Sequence, residues 1–198
     1  MIERLVLASN NARKAAELAA ILAPLGIEVL PQSAFDVPEA EEPHPSFIEN
    51  AIAKARNAAR HAGLPAIADD SGLCVAALGG APGVHSARFA GEPRSDARNN
   101  ALLVERMTGI EDRSAYFYCT VALVRHPDDP CPLIADGEWH GEILAAPRGE
   151  NGFGYDPLFY LPELEQTAAE LDAQLKNTLS HRGAAMRHLI NRLQPFRP

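Results

Sequence analysis

The sequence predicts an α/β protein built on a mixed sheet, and three observations carry that prediction. Short buried-strand patterns alternate with amphipathic helix patterns through the first half of the chain. Two long strand patterns joined by a proline-rich turn follow in the second half, as in an antiparallel hairpin. The composition, 46% hydrophobic and 22% charged over 198 residues, is that of a globular chain with one sizeable core.

The elements follow in order. Residues 5–8 form an apolar run bounded by Ser9, Asn10 and Asn11, a buried strand ending in a turn. Residues 13–22 read as a helix with Leu18, Ile21 and Leu22 on one face, stopped by Pro24 and Gly26. Residues 27–30 are a second strand pattern, and the acidic, proline-bearing residues 31–45 a loop. Ser46 and Glu49 make a capping box for a helix reaching about Ala62 and closing on Gly63. Residues 66–68 read as a buried strand that presents Asp69 and Asp70 at its end.

Residues 78–91 are too glycine-rich for regular structure and read as an ordered loop. Ser95 caps a helix reaching Met107. Residues 115–125 and 133–143 alternate as two antiparallel strands around H-P-D-D-P-C-P. Thr167 and Glu170 read as a second capping box, and Ser180 caps a final helix through Leu193.

A net charge of −8 argues against non-specific nucleic-acid binding and requires locally placed cations for any polyphosphate ligand. The three cysteines form no C-x-x-C pair, so they read as small half-buried hydrophobes in a reducing compartment. No apolar run reaches membrane-spanning length and no signal-peptide pattern opens the chain, which makes the cytoplasm the expected location.

Seven carboxylates lie between Asp36 and Asp70. Crowded acids repel one another and any anionic ligand, and a hard divalent cation resolves both problems. Mg²⁺ is therefore the expected cofactor. Asp70, at a strand end, is placed to hold a metal and to take a proton from water. The same D-D-S-G residues also fit a turn that satisfies its own backbone. Glu41 and Glu42 become metal ligands only if folding brings them against Asp70; otherwise they are a solvated face. Lys54 lies on the capped helix between the two acidic groups, either solvated or neutralising the acids or a phosphate.

Ser9, Asn10, Asn11, Ala12, Arg13 and Lys14 lie between a strand and a helix, where backbone amides and side-chain donors favour a phosphate. An Asn-capped helix with a solvated Lys14 is the plainer account of them taken alone. In N-G-F-G-Y-D-P, two glycines let the backbone approach a flat ligand, Phe153 offers a stacking face and Asp156 an acceptor; a plain turn is the alternative. Lys176, Ser180, His181 and Arg182 cluster at a helix start, where cations oppose the helix dipole, so they fit donors to a ligand carbonyl.

Six motifs in order together resemble the inosine triphosphate pyrophosphatase, or Ham1, family. They are A-S-N-N-A-R-K, E-E-x-x-x-S-F-I-E-N-A-x-x-K-A, A-D-D-S-G-L, G-A-P-G-V-H-S-A-R-F-A-G, G-F-G-Y-D-P and S-H-R-G, and they span nearly the whole chain. The resemblance implies an elongated α/β fold with a long central mixed sheet and two lobes in one domain, residues 1–198, and a homodimer. It implies Mg²⁺-dependent cleavage of ITP, dITP and XTP between the α and β phosphates. Residues 9–14 would hold the triphosphate with Lys54 nearby, and Asp70 would be general base and metal ligand. Glu41 or Glu42 would support the metal; the motif does not settle which. Ser71 would touch the substrate, Phe153, Gly154, Tyr155 and Asp156 would clasp base and sugar, and Lys176, His181 and Arg182 would read the base edge.

Elementary chemistry agrees with that assignment. Hypoxanthine and xanthine present a 6-oxo acceptor where adenine presents an amino donor. Rejecting a partner that strands buried donors reaches about 10⁴-fold. A pyrophosphatase of the Maf type acting on pyrimidine or modified nucleotides, and a non-hydrolytic purine-nucleotide sensor, are the competing expectations.

Overall fold

The structure, a computed structural model, describes residues 2–9, 18–19 and 22–193. Its strands are β1 (Arg4–Leu7), β2 (Glu28–Pro31), β3 (Ala66–Val75), β4 (Ser114–Val124), β5 (Leu133–Ile143), β6 (Phe159–Leu161) and β7 (Gln166–Thr167). They hydrogen-bond in the order β2-β1-β3-β4-β5-β6-β7. β1 runs parallel to β2 and β3, whereas β6 is antiparallel to β5 and β7, so the sheet is mixed. Helices α1 (Phe47–Ala62), α2 (Asp96–Arg106), α3 (Ala173–Leu179) and α4 (His181–Leu193) accompany it. The expected α/β class stands.

The chain divides into two compact units. The first gathers Met1–Asp70, Cys119–Gly137 and Ala185–Pro198. Along β1, Leu5 and Leu7 join one buried cluster with Ile67, Val121 and Met186, while Val6 and Ala8 join another with the alanines of α1. Alternate residues enter opposite layers because strand side chains alternate and both faces are covered. Ala51, Ala55, Ala58 and Ala59 make a buried helical stripe. Side chains this small let α1 lie close against the sheet.

The second unit gathers Ser71–Tyr118 and Glu138–Ala184. Its core is aromatic: the Phe117 and Phe159 rings lie 4.6 Å apart and those of Trp139 and Phe159 5.3 Å, packed with Leu73, Leu103 and Met107.

Several expectations are corrected. The strand at 66–68 does not end at Asp69. It continues through D-D-S-G to Val75, so that segment is not a turn. Nine of its ten positions are buried, and a buried backbone finds its hydrogen bonds in a ladder, not a turn. The glycine-rich residues 78–91 contain a 3-10 helix at Gly83–Arg88, and the acidic loop begins with another at Gln32–Phe35. Thr167 and Glu170 cap no helix. Thr167 belongs to β7, and the Glu170 carboxylate accepts from its N–H at 2.7 Å while pairing with Arg148. Asp172 caps α3 instead, accepting from the Leu175 N–H at 2.9 Å.

Ser46, Ser95 and Ser180 serve as helix caps as expected. Leu18 and Leu22 are buried in the first unit; Arg13 and Ile21 lie outside the described residues. Cys74 and Cys119 are buried, but Cys131 is exposed, unlike the half-buried position expected of it. Among the described residues no helix is long and apolar enough to cross a membrane.

Candidate active site

In the first unit, β1 and β3 run in register with Val6 beside Ala66 and Leu7 beside Ile67. Asp70 therefore stands beyond the carboxyl end of β1, the edge where ligands of α/β sheets bind, although it is interior to its own strand. Asp69 and Asp70 are both buried, and as successive strand residues they point to opposite faces.

Helix α1 delivers Lys54. Its Nζ donates to Asp70 Oδ1 at 2.8 Å and to Glu42 Oε1 at 2.9 Å. Glu42 is placed by Asn50, buried on α1, whose amide accepts from the His44 N–H at 3.1 Å and donates to the His44 carbonyl at 3.2 Å. That two-way bond ties the acidic segment to the helix. Glu42 consequently faces the lysine, while Glu41 is exposed. The spacing E-E-x-x-x-S-F-I-E-N contained Asn50 as a signal, since an asparagine in a helix's first turns has a job other than helix formation.

Two carboxylates share one ammonium, so the cluster carries an excess negative charge. Burial pushes the Asp70 carboxyl above its ordinary value; Lys54 opposes the rise, Glu42 adds to it, and the Asn50 amide nearby weakly opposes it. Burial alone would lower the Lys54 pKa, but Asp70 and Glu42 outweigh it and hold the lysine charged. Asp70 Oδ2 is buried and accepts no hydrogen bond from the described residues. A buried carboxylate oxygen without a donor is one that a cation or a bound water would satisfy.

Mg²⁺ fits this set. It uses one or two carboxylates and completes its shell with water and substrate phosphates, and Asp70 with Glu42 supplies that number. Among the described residues, no three His, Cys, Asp or Glu side chains group as a self-sufficient metal cage. Of residues 9–14, only Ser9 is described: it lies two residues past the end of β1, its N–H donating to the Leu7 carbonyl at 2.9 Å. Asn10, Asn11, Ala12, Arg13 and Lys14 lie outside the described residues.

The second unit holds the rest. Gly152 and Gly154 take φ values of 79° and 62°, a region that disfavours side chains, and they flank Phe153. Phe153 is 44% exposed. A Cβ at Gly152 would collide with the Asp156 carboxylate. Asp156 is buried, accepts from the Phe153 N–H at 2.8 Å and pairs with Lys176. Its Oδ2 thus holds the turn. Tyr155 is buried in the core, and its hydroxyl donates to the Ser86 carbonyl at 2.8 Å, which anchors the turn from below.

Lys176 is not at the start of the final helix. It lies in the last turn of α3, where a cation favours the dipole, and its ammonium sits 4.9 Å from the Phe153 ring centroid. His181 and Arg182 do occupy the first turn of α4. His181 is buried, its ring stacked 4.9 Å from Phe117, and Arg182 donates to Ser71 Oγ at 3.3 Å.

Comparison with known proteins follows the same lines. The model of the Ham1 family matches residues 5–192. A protein of Aromatoleum aromaticum called dITP/XTP pyrophosphatase is 81% identical over 98% of both chains. One of the same name from Bordetella pertussis is 60% identical, covering 100% of this chain and 94% of its own. The solved structure of a HAM1 protein from Coxiella burnetii superposes with a TM-score of 0.95 at 51% identity, over 98% of this chain and all of that one. The Ham1 protein of Staphylococcus aureus gives 0.91 at 38% identity, again over 98% of this chain and all of that one.

Proposed function

This chain belongs to the Ham1 family, and from that premise we propose that it hydrolyses the non-standard purine triphosphates XTP, dITP and ITP to the nucleoside monophosphate and pyrophosphate. The observation that carries the reading is Asp70, a buried carboxylate with one oxygen on Lys54 and the other without a donor among the described residues. Such a group is a stronger base than an exposed aspartate and has an atom to spare for a reacting water.

Asp70 accepts the proton of a water whose oxygen bonds to the α-phosphorus. The bond from that phosphorus to the bridging oxygen breaks, and pyrophosphate leaves with the electron pair. Lys54 keeps Asp70 oriented and balances part of the charge that gathers there. Asp70 and Glu42 are the side chains that would hold Mg²⁺, which when bound offsets phosphate charge and that of the leaving pyrophosphate. Residues 9–14 cradle the triphosphate, and Ser71 touches it. Phe153, Gly154, Tyr155 and Asp156 form the turn that receives the base, while Lys176, His181 and Arg182 supply donors that suit a 6-oxo purine. Adenine would leave those donors unpaired.

The chain is further proposed to work in the cytoplasm as a homodimer; a mass near 21.3 kDa in light scattering would refute the dimer. The deciding experiment incubates the purified chain and Mg²⁺ with XTP, dITP, ITP, ATP, GTP, dUTP and TTP, and follows monophosphate and pyrophosphate. Turnover of the first three, abolished by chelation, is expected. Turnover of dUTP or TTP alone would favour the Maf-type activity, and tight binding without pyrophosphate would favour a sensor.

A further inference from the structure

Helix α2 touches the Phe153 turn in a way that neither capping nor core packing requires. Asp96 Oδ2 accepts from the Gly154 N–H at 2.7 Å. One turn further on, Asn100 Nδ2 donates to the Gly154 carbonyl at 2.8 Å and to the carbonyl of Asp96 at 2.9 Å. Both polar groups of one peptide residue are therefore held from a single helix face, by side chains four residues apart.

The plain reading of each residue is insufficient. Ser95 already caps α2, accepting from the Arg98 N–H at 3.3 Å, and an acid in the first turn gains from the helix dipole without leaving the helix. Asparagine inside a helix is a poor choice because its amide competes with the backbone. The Asn100 amide cannot be turned over, since both atoms facing its Nδ2 are carbonyl oxygens. Its Oδ1 is left buried with no partner among the described residues, a cost accepted to keep the NH₂ on Gly154.

We propose that Asp96 and Asn100 are positioning residues for base recognition, holding Gly154 so that the exposed Phe153 ring is preset to stack on the purine. The proposal rests on the reading of residues 153–156 as the turn that receives the base. Asp156 secures the Phe153 N–H from one side, and α2 secures Gly154 from the other. Between two glycines in positive φ, the ring would otherwise lose its place. Ordering it in advance removes an entropic cost from nucleotide binding. The base lies away from the reacting phosphorus, so its stacking stabilises ground and transition states alike, and its loss appears in KM more than in kcat.

The test uses Asp96→Ala, Asn100→Ala and Asp96→Asn, the last keeping an acceptor oxygen while removing the charge. Both alanine variants should raise KM for dITP about five- to tenfold with kcat within about twofold, and Asp96→Asn should recover most of the loss. In the nucleotide-free protein, amide hydrogen exchange across residues 152–155 should quicken in the alanine variants while the Leu103 and Met107 amides stay protected. Unchanged KM, unchanged exchange at the turn, or a fall in kcat matched by a lower Tm would each overturn the proposal. If the wild-type chain releases no pyrophosphate from dITP or XTP, the family-based activity fails by itself, and the exchange measurement still decides whether α2 holds the turn.

Discussion

Asp70 and Asp129 are both buried carboxylates of the first unit, each paired with one basic side chain, and the protein treats them in opposite ways. Asp129 closes the turn between β4 and β5. Its Oδ2 accepts from the Arg125 N–H at 2.9 Å and Nε at 2.8 Å, and its Oδ1 from Arg125 Nη2 at 2.5 Å and the Cys131 N–H at 2.9 Å. These bonds from Arg125, against the pull of burial, hold its carboxyl far below the usual range. Asp70 receives Lys54 on Oδ1, while its Oδ2 accepts no hydrogen bond from the described residues; it shares its lysine with Glu42, and burial pushes it upward against Lys54 and the Asn50 amide. A carboxylate saturated with donors is a structural tie. One left partly unsatisfied is available for chemistry, and the number of donors separates the two roles better than burial does.

That contrast can be broken or sharpened by experiment. The largest effect is expected from Asp70→Asn, which removes the base but retains the shape. Pyrophosphate release should fall by about 10³-fold or more, with Tm within about 3 °C of the wild type. Retained turnover would remove Asp70 from the chemistry. Asp129→Ala should do the reverse, lowering stability to denaturant by about 2 kcal/mol while the folded fraction keeps its kcat.

The pH dependence of stability should divide the two next, measured without metal. The Asp129 pKa is lowered in the folded state, so its contribution is full above the unfolded carboxylate value and is lost as pH falls towards the folded one. The Asp70 pKa is raised, so the folded state binds that proton more tightly and stability declines as pH rises from the unfolded value through the folded one. Asp129→Asn should flatten the acid loss, and Asp70→Asn should flatten the opposing decline; identical Tm profiles against pH would contradict both. The smallest effect is expected for Arg125→Gln. That side chain is 53% exposed, and the Arg125 and Cys131 backbone amides remain on Asp129, so the denaturant midpoint should move far less than in Asp129→Ala.

Much of this was legible from residues close together in the chain. Ser46 with Glu49 and Ser95 with Arg98 meet within one helical turn, so their caps follow from spacing. Thr167 and Glu170 have the same spacing, and their contact also forms, but β6 pairs with β7 and takes Thr167 into the sheet. Spacing alone puts Lys176 with the final helix, whereas Ser180 ends one helix and begins the next. The contacts of Asp96 and Asn100 are invisible to local spacing because their partner lies more than fifty residues away, although consecutive asparagines, Asn99 and Asn100, inside a capped helix are a readable warning.

By itself, the sequence determined the α/β class, the helix starts and the ordered motifs of the Ham1 family, since these depend on neighbours and on the kinds of side chain present. Tertiary structure alone decided that Glu42 and not Glu41 meets Lys54, that D-D-S-G is strand and not turn, and that one Asp70 oxygen has no donor among the described residues. The reason is physical: hydrogen-bond partners and burial are set by segments that adjoin only after strands pair and α1 packs its alanines on the sheet, and no local spacing encodes which donors arrive.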